Sequence, residues 1–163
     1  MTVKPKLIIV LGSGGHTAQM VRLTEMLYDS YDFEYVLNDD DNTSIKRIKY
    51  PGDMYIIPRP RRKNDKAIVK SVFLTVYSIM KSCDIISKSK AIGIVSAGPG
   101  LTVPLFIWSL ICGKRRIFLE SWSRVTTKSA TGKICYHLSN LFFVQWPTLT
   151  KIYPNAIYVG RLG

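Results

Sequence analysis

Three short segments carry residue types able to do chemistry. The first is Gly12-Ser13-Gly14-Gly15-His16-Thr17, which follows an apolar run and precedes a helical pattern. Glycines there permit positive φ and close backbone approach, and the free N–H groups of a helix start point at an anion, so the segment is built as a phosphate cradle. It lacks the lysine of a Walker A loop, and its glycine spacing departs from G-x-G-x-x-G, so neither an NTPase nor a dinucleotide enzyme fits. His16 falls at the helix start, where the dipole favours a neutral imidazole able to accept a proton, as a general base must. A histidine that caps the helix or bonds the loop is the plainer alternative. The second segment, Ser96-Ala97-Gly98-Pro99-Gly100, offers a similar backbone nest, with Pro99 removing one donor. In the third, Glu120-Ser121-Trp122-Ser123-Arg124 sets a carboxylate beside hydroxyls and an arginine, as a sugar or amide site could use. A Glu120–Arg124 salt bridge would explain the same pair.

These segments need a scaffold that brings them together. Leu7–Leu11 is a continuous apolar run of the kind found in strands buried on both faces. Helical spacing follows over 16–28, and strands are predicted at 33–37, 54–57, 91–95, 116–120, 141–144 and 156–159. Between them, 38–44 reads as a solvated loop, and helices are predicted from Lys66 onward, over 102–112, over 129–138 and briefly after Trp146-Pro147. Alternation of this kind predicts one α/β domain over 1–163, with a mainly parallel sheet and right-handed crossovers. In such sheets ligands bind beyond the carboxyl ends of the strands, so all three segments should share one edge. On the helix from Lys66, Val69, Val72, Val76 and Met80 fall on one side. Lys66, Lys70, Lys81 and Lys88 fall on the other with Phe73 and Tyr77.

The chain has 163 residues, 47% of them hydrophobic, enough for one core and too many for disorder. Three isolated cysteines, Cys83, Cys112 and Cys135, form no CxxC pair and argue against a zinc ribbon or a disulfide scaffold. Asp39, Asp40 and Asp41 are adjacent and cannot all face one ion from a regular strand, so no metal site is predicted. The net charge of +12 calls for anionic partners such as phosphates or a lipid surface. No RNP-like aromatic sheet or recognition helix accompanies it, which sets nucleic acid aside. The opening residues run too soon into Lys6–Leu11 for a secretory leader, and the weakly charged stretch 91–113 is interrupted by glycines and prolines, so it reads as strand, loop and helix before a membrane span.

Taken together, the glycine loop, Ser96–Gly100 with Pro104, Glu120-Ser121 with Arg124, Gly132-Lys133, Phe143–Pro147, Tyr153-Pro154 and Tyr158–Arg161 resemble the asparagine-linked-glycosylation protein fourteen family over nearly the whole chain. The resemblance implies a Rossmann-like domain equivalent to the N-terminal, acceptor half of a GT-B glycosyltransferase. The second half would come from a separate catalytic subunit of the protein-thirteen type. The implied reaction is the inverting transfer of GlcNAc from UDP-GlcNAc to dolichyl-diphosphate-GlcNAc at the cytosolic face of the endoplasmic reticulum, without cofactor or metal and without activity in the lone chain. By the same resemblance, His16 and Glu120 are the catalytic candidates, and Gly12, Ser13, Gly14, Gly15, Thr17, Gly98, Gly100 and Arg124 the acceptor or phosphate contacts. Tyr158, Val159, Gly160, Arg161 and Leu162 would dock the partner. Eukaryotic members usually begin with a hydrophobic anchor that this sequence does not display, and the lysine stripe with Phe73 and Tyr77 is the candidate substitute on an anionic bilayer. An accessory subunit of a bacterial capsule or exopolysaccharide transferase, or a non-catalytic lipid-diphosphate scaffold, are the other readings.

Overall fold

Leu7, Ile8, Ile9, Val10 and Leu11 are all buried, which a strand achieves only in the interior of a sheet covered on both faces. A computed structural model, describing residues 3–59 and 68–162 and only the backbone of 68–70, shows how this is arranged. The elements run β1 (Lys6–Val10), α1 (Gly15–Leu27), β2 (Asp32–Asn38), α2 (Asn42–Ile45), β3 (Gly52–Ile57), α3 (Ile68–Lys88), β4 (Gly93–Ser96), α4 (Thr102–Ile111), β5 (Arg115–Leu119), α5 (Ala130–Leu138), β6 (Leu141–Val144), a 3-10 turn (Pro147–Lys151) and β7 (Ile157–Tyr158). They form one sheet of seven strands in the order β3-β2-β1-β4-β5-β6-β7, with every pairing parallel. This is the Rossmann-like architecture predicted. The chain winds outward in opposite directions from β1 and β4, so their carboxyl ends open a crevice between them.

The two faces of the sheet are covered unequally. Ile8, Val10, Ile94, Phe118 and Phe142 point into a large core completed by Ile85 and Ile86 of α3, Leu105 and Phe106 of α4, and Cys135 of α5. On the other face, Leu7, Ile9, Phe33 and Tyr35 pack against Met20, Leu23 and Leu27 of α1. That cover stops near β1, and Ile117, Leu141 and Phe143 of β5 and β6 are left lining an open apolar trough.

Two expectations are corrected. The segment 38–44 is not a solvated loop: Asp41 is buried and caps α2, its carboxylate accepting Ser44 N at 3.2 Å and Ser44 Oγ at 2.6 Å. Those bonds compensate the burial of the charge. Asp40 pairs with Arg59 Nε at 3.3 Å. The second correction concerns α3: Val72, Val76 and Met80, read as lying opposite Phe73 and Tyr77, are exposed as those two aromatics are. The helix buries Ser78 and Ser82 instead, whose hydroxyls donate to Pro58 O at 2.6 Å and Ser78 O at 2.8 Å. Hydroxyls satisfied in this way can be buried cheaply, and their small size lets α4 lie close.

Candidate functional site

The crevice between β1 and β4 brings the three predicted segments to one edge. Ser13, Gly14 and Gly15 are exposed there, with Gly14 at φ 70°. Thr17 N and Ala18 N turn back to Gly12 O and Gly14 O. Among the described residues the N–H groups of Gly14, Gly15 and His16 have no protein acceptor, which leaves them directed at whatever occupies the crevice. The second loop packs on the first: a Cβ on Gly12 would lie 2.5 Å from Pro99 Cβ, so only glycine allows the approach. The third loop closes the cradle, because the Trp122 ring lies 3.1 to 3.7 Å from where a Gly15 Cβ would stand.

His16 is fixed between the first two loops. Its Nδ1 lies 2.6 Å from Ala97 O, and a carbonyl only accepts, so Nδ1 carries the hydrogen. In the neutral ring Nε2 then keeps its lone pair, the state a general base requires. Gly98 makes room for this: at φ 103°, a Cβ there would stand 3.6 Å from His16 Cε1 and 3.3 Å from Phe118 Cζ. Its own N–H donates to Ser96 Oγ at 3.3 Å, so Gly98 shapes the loop and offers no free donor to an anion. Gly100 is exposed with open space around it.

Other sequence candidates have side chains already engaged within the protein or without the partner expected of them. Thr17 is buried, its Oγ1 bonded to Gly12 O and Ser44 Oγ, in a chain that ends on Asp41. Glu120 is fully buried; its Oε1 accepts Ser121 N at 2.9 Å, and its Oε2 accepts Ser129 N at 3.3 Å and the Tyr153 hydroxyl at 2.9 Å. A carboxylate so engaged ties the β5–α5 loop to α5 and Tyr153 and has no face left for a substrate. Its geometry is that of a positioning residue, which corrects the expectation of direct catalysis. Burial, reinforced by the charge of Glu120, raises the Tyr153 phenol above its ordinary range. Arg124 is exposed, and among the described residues it forms no ion pair, so the Glu120–Arg124 bridge is not made.

Sequence reasoning missed the residues that join this site to the C-terminal segment. Gln145 donates through Nε2 to Glu120 O at 2.9 Å and accepts Leu162 N on Oε1 at 3.0 Å. Arg22 lies over the Trp122 ring, 5.5 Å from its centroid, and donates to Leu162 O at 3.2 Å. Arg161 covers Trp146 at 4.5 Å, and Trp146 Nε1 donates to Trp122 O at 2.7 Å. Residues 159–162 thereby form one rim of the open trough, about 490 Å³ in volume, whose floor is the uncovered face of β4, β5 and β6. Tyr158 and Val159 are exposed at its edge. The Gln145–Trp146 dipeptide was the available signal, since a polar and an amphipathic residue directly after an apolar strand mark a strand end with work to do.

Of the surface candidates, Phe73 and Tyr77 are exposed, Lys81 is half-buried, and Lys88 is exposed and paired with Asp84 at 2.6 Å. Lys66 lies outside the described residues, and Lys70 is described only in its backbone. Among the described residues no helix is long and apolar enough to cross a membrane, and no three His, Cys, Asp or Glu side chains converge as a metal site.

A profile described as oligosaccharide biosynthesis protein Alg14 like matches residues 7–162. The chain belongs to the Alg14 family. It is 38% identical to the UDP-N-acetylglucosamine transferase subunit ALG14 of Rattus norvegicus over 178 residues, covering 96% of this chain and 82% of the rat protein. The human protein of that name is 35% identical, at 99% and 87% coverage, and that of Candida albicans 31%, at 96% and 78%. Among solved structures, MurG of Acinetobacter baumannii superposes at a TM-score of 0.71 with 14% identity, over 90% of this chain and 43% of MurG. The UDP-GlcNAc 2-epimerase of Neisseria meningitidis, bound to UDP-GlcNAc, gives 0.70 with 10% identity, over 96% of this chain and 47% of the epimerase. The chain thus has the fold of half of a GT-B protein, as the resemblance implied, and spans under half of these two neighbours.

Proposed function

We propose that this Alg14 chain is the acceptor-side subunit of a UDP-GlcNAc transferase, completed by a separate catalytic subunit that brings the donor. The observation that carries the reading is the joining of an open anion cradle to a histidine held in a base-competent tautomer, in a chain whose relatives are named as subunits of that transferase. The acceptor is dolichyl-diphosphate-GlcNAc, and the step adds its second GlcNAc at the cytosolic face of the endoplasmic reticulum. The diphosphate lies against the N–H groups of Gly14, Gly15 and His16. His16 Nε2 takes the proton of the acceptor hydroxyl as that oxygen attacks the anomeric carbon, and UDP leaves with the bonding pair from the opposite face. The product is inverted. No cofactor or metal ion is assigned a part.

The catalytic partner, of the Alg13 type, seats an apolar element in the trough beside residues 158–162, where Leu141, Phe143 and Val159 await cover. A chain offering half of the fold and an uncovered sheet face is expected to be inactive alone. The outward face of α3, apolar at Val72, Phe73, Val76, Tyr77 and Met80 and flanked by Lys81 and Lys88, lies on the bilayer. The test is reconstitution: the chain with candidate catalytic subunits, given UDP-GlcNAc and a short-chain polyprenyl-diphosphate-GlcNAc, should form the di-N-acetylchitobiose product, and neither subunit should do so alone. Failure with every such partner would overturn the reading.

A further inference from the structure

Between α3 and α4 runs a cleft of about 320 Å³, lined chiefly by Ile57, Ile79, Leu101, Val103, Ile107 and Trp108. Its polar wall atoms are already engaged: Ser78 Oγ donates to Pro58 O at 2.6 Å, Thr75 Oγ1 to Ser71 O at 2.7 Å, and Trp108 Nε1 to Ile79 O at 3.1 Å. An occupant therefore meets carbon, and recognition there comes from burial of apolar surface. The cleft is open along its outer side, since Ile79 and Ile107 are 41% and 42% exposed. Gly100 and Leu101 also line it, directly after the loop whose Ala97 carbonyl holds His16. One loop thus connects an anion cradle to an apolar cleft, and the outer lip continues into exposed Val76 and Met80 of α3.

We infer that this cleft binds the first isoprene units of the acceptor's polyprenyl chain, running from a diphosphate held in the cradle towards the lipid face of α3. The inference rests on the acceptor being a lipid-linked diphosphate. The chemistry of the walls and their continuity with the cradle select this occupant. A sugar or nucleotide would find few polar partners on these walls, where the side-chain donors of Thr75, Ser78 and Trp108 are already spent on backbone carbonyls. A flexible hydrocarbon chain attached to an anion satisfies both ends at once.

The test compares binding of inorganic pyrophosphate, geranyl diphosphate and farnesyl diphosphate to the full chain by calorimetry, below the concentrations at which the lipids self-associate. Affinity should rise about tenfold or more per isoprene unit, the order expected for burying several methylene groups. Val103→Trp, which fills the cleft, and Ile107→Lys, at a half-open position that tolerates charge, should abolish that dependence while pyrophosphate binding is unchanged. Ile111→Lys, exposed on α4 outside the cleft, should retain it. Pyrophosphate binding with no chain-length effect overturns the cleft assignment alone, as does a chain-length effect that survives both cleft variants. Binding of none of the three probes overturns the assignment together with the lipid-diphosphate reading beneath it.

Discussion

His16 donates its Nδ1 hydrogen to the Ala97 carbonyl at 2.6 Å, a bond spanning 81 residues that fixes both the orientation and the tautomer of the ring. Ala97 and His16 follow the ends of β4 and β1, which the strand order sets side by side, so the placement of the histidine is a property of the sheet. Gly98→Ala tests this arrangement without touching the ring itself. The new Cβ would press on His16 Cε1 and Phe118 Cζ from a positive-φ position that alanine resists. Transfer by the reconstituted complex should fall at least about tenfold, and stability by about 1–3 kcal/mol. Unchanged transfer in a folded Gly98→Ala protein would show that this contact does not position the histidine.

The buried carboxylate gives a stability prediction. In Gly132→Ala the added Cβ would stand 2.1 Å from Glu120 Oε2 and drive it from Ser129 N and the Tyr153 hydroxyl. Each orphaned buried partner costs about 1–3 kcal/mol. The expected loss of about 3 kcal/mol lowers the melting temperature by roughly 6–12 °C in a chain of this size. Tyr153→Phe removes one bond and should cost less. A Gly132→Ala protein melting like the wild type would mean the network contributes little.

Some of this was legible in the sequence. The apolar runs revealed the strands, their spacing revealed the parallel sheet, and the glycine loop after the first run located the crevice. The fate of Glu120 was not legible, because its partners Ser129 and Tyr153 lie 9 and 33 residues away and only the fold collects them. Nor was the orientation of α3: a helical projection says which residues share a side, not which side meets the sheet. Ser78 and Ser82 turned inward because backbone carbonyls accept their hydroxyls. Thr17 looked like a phosphate ligand by position, yet its hydroxyl serves Gly12 O and Ser44.

The outward face of α3 makes a membrane prediction separable from folding. Val76 and Met80 are 51% and 65% exposed, so Val76→Glu with Met80→Glu should change stability by under about 1 kcal/mol in sum. Flotation with anionic liposomes should drop sharply in that variant, and more mildly in Lys81→Glu with Lys88→Glu. Flotation unchanged in both would remove α3 as the bilayer contact.

Stability should decline in alkali. Burial pushes the Tyr35 phenol from its ordinary 10.0 up to about 12 and the Cys135 thiol from 9.0 up to about 12, and it raises Tyr153 as well. Below about pH 8 both folded and unfolded chains hold these protons, and the groups contribute no pH dependence. From there towards pH 12 the unfolded chain releases protons that the folded chain keeps, so unfolding becomes easier as pH rises. Chemical denaturation at pH 8, 10 and 11 should show a falling midpoint, with a shallower fall in Tyr35→Phe. A midpoint constant to pH 11 would contradict the assignment.

The most direct measurement is turnover by the complex carrying His16→Ala, with complex yield recorded alongside. If His16 is the base, the variant should assemble with its partner as well as wild type while kcat/KM falls by about 10²–10⁴. Near-normal turnover from a fully assembled His16→Ala complex would contradict the account and leave this chain a scaffold for chemistry done elsewhere.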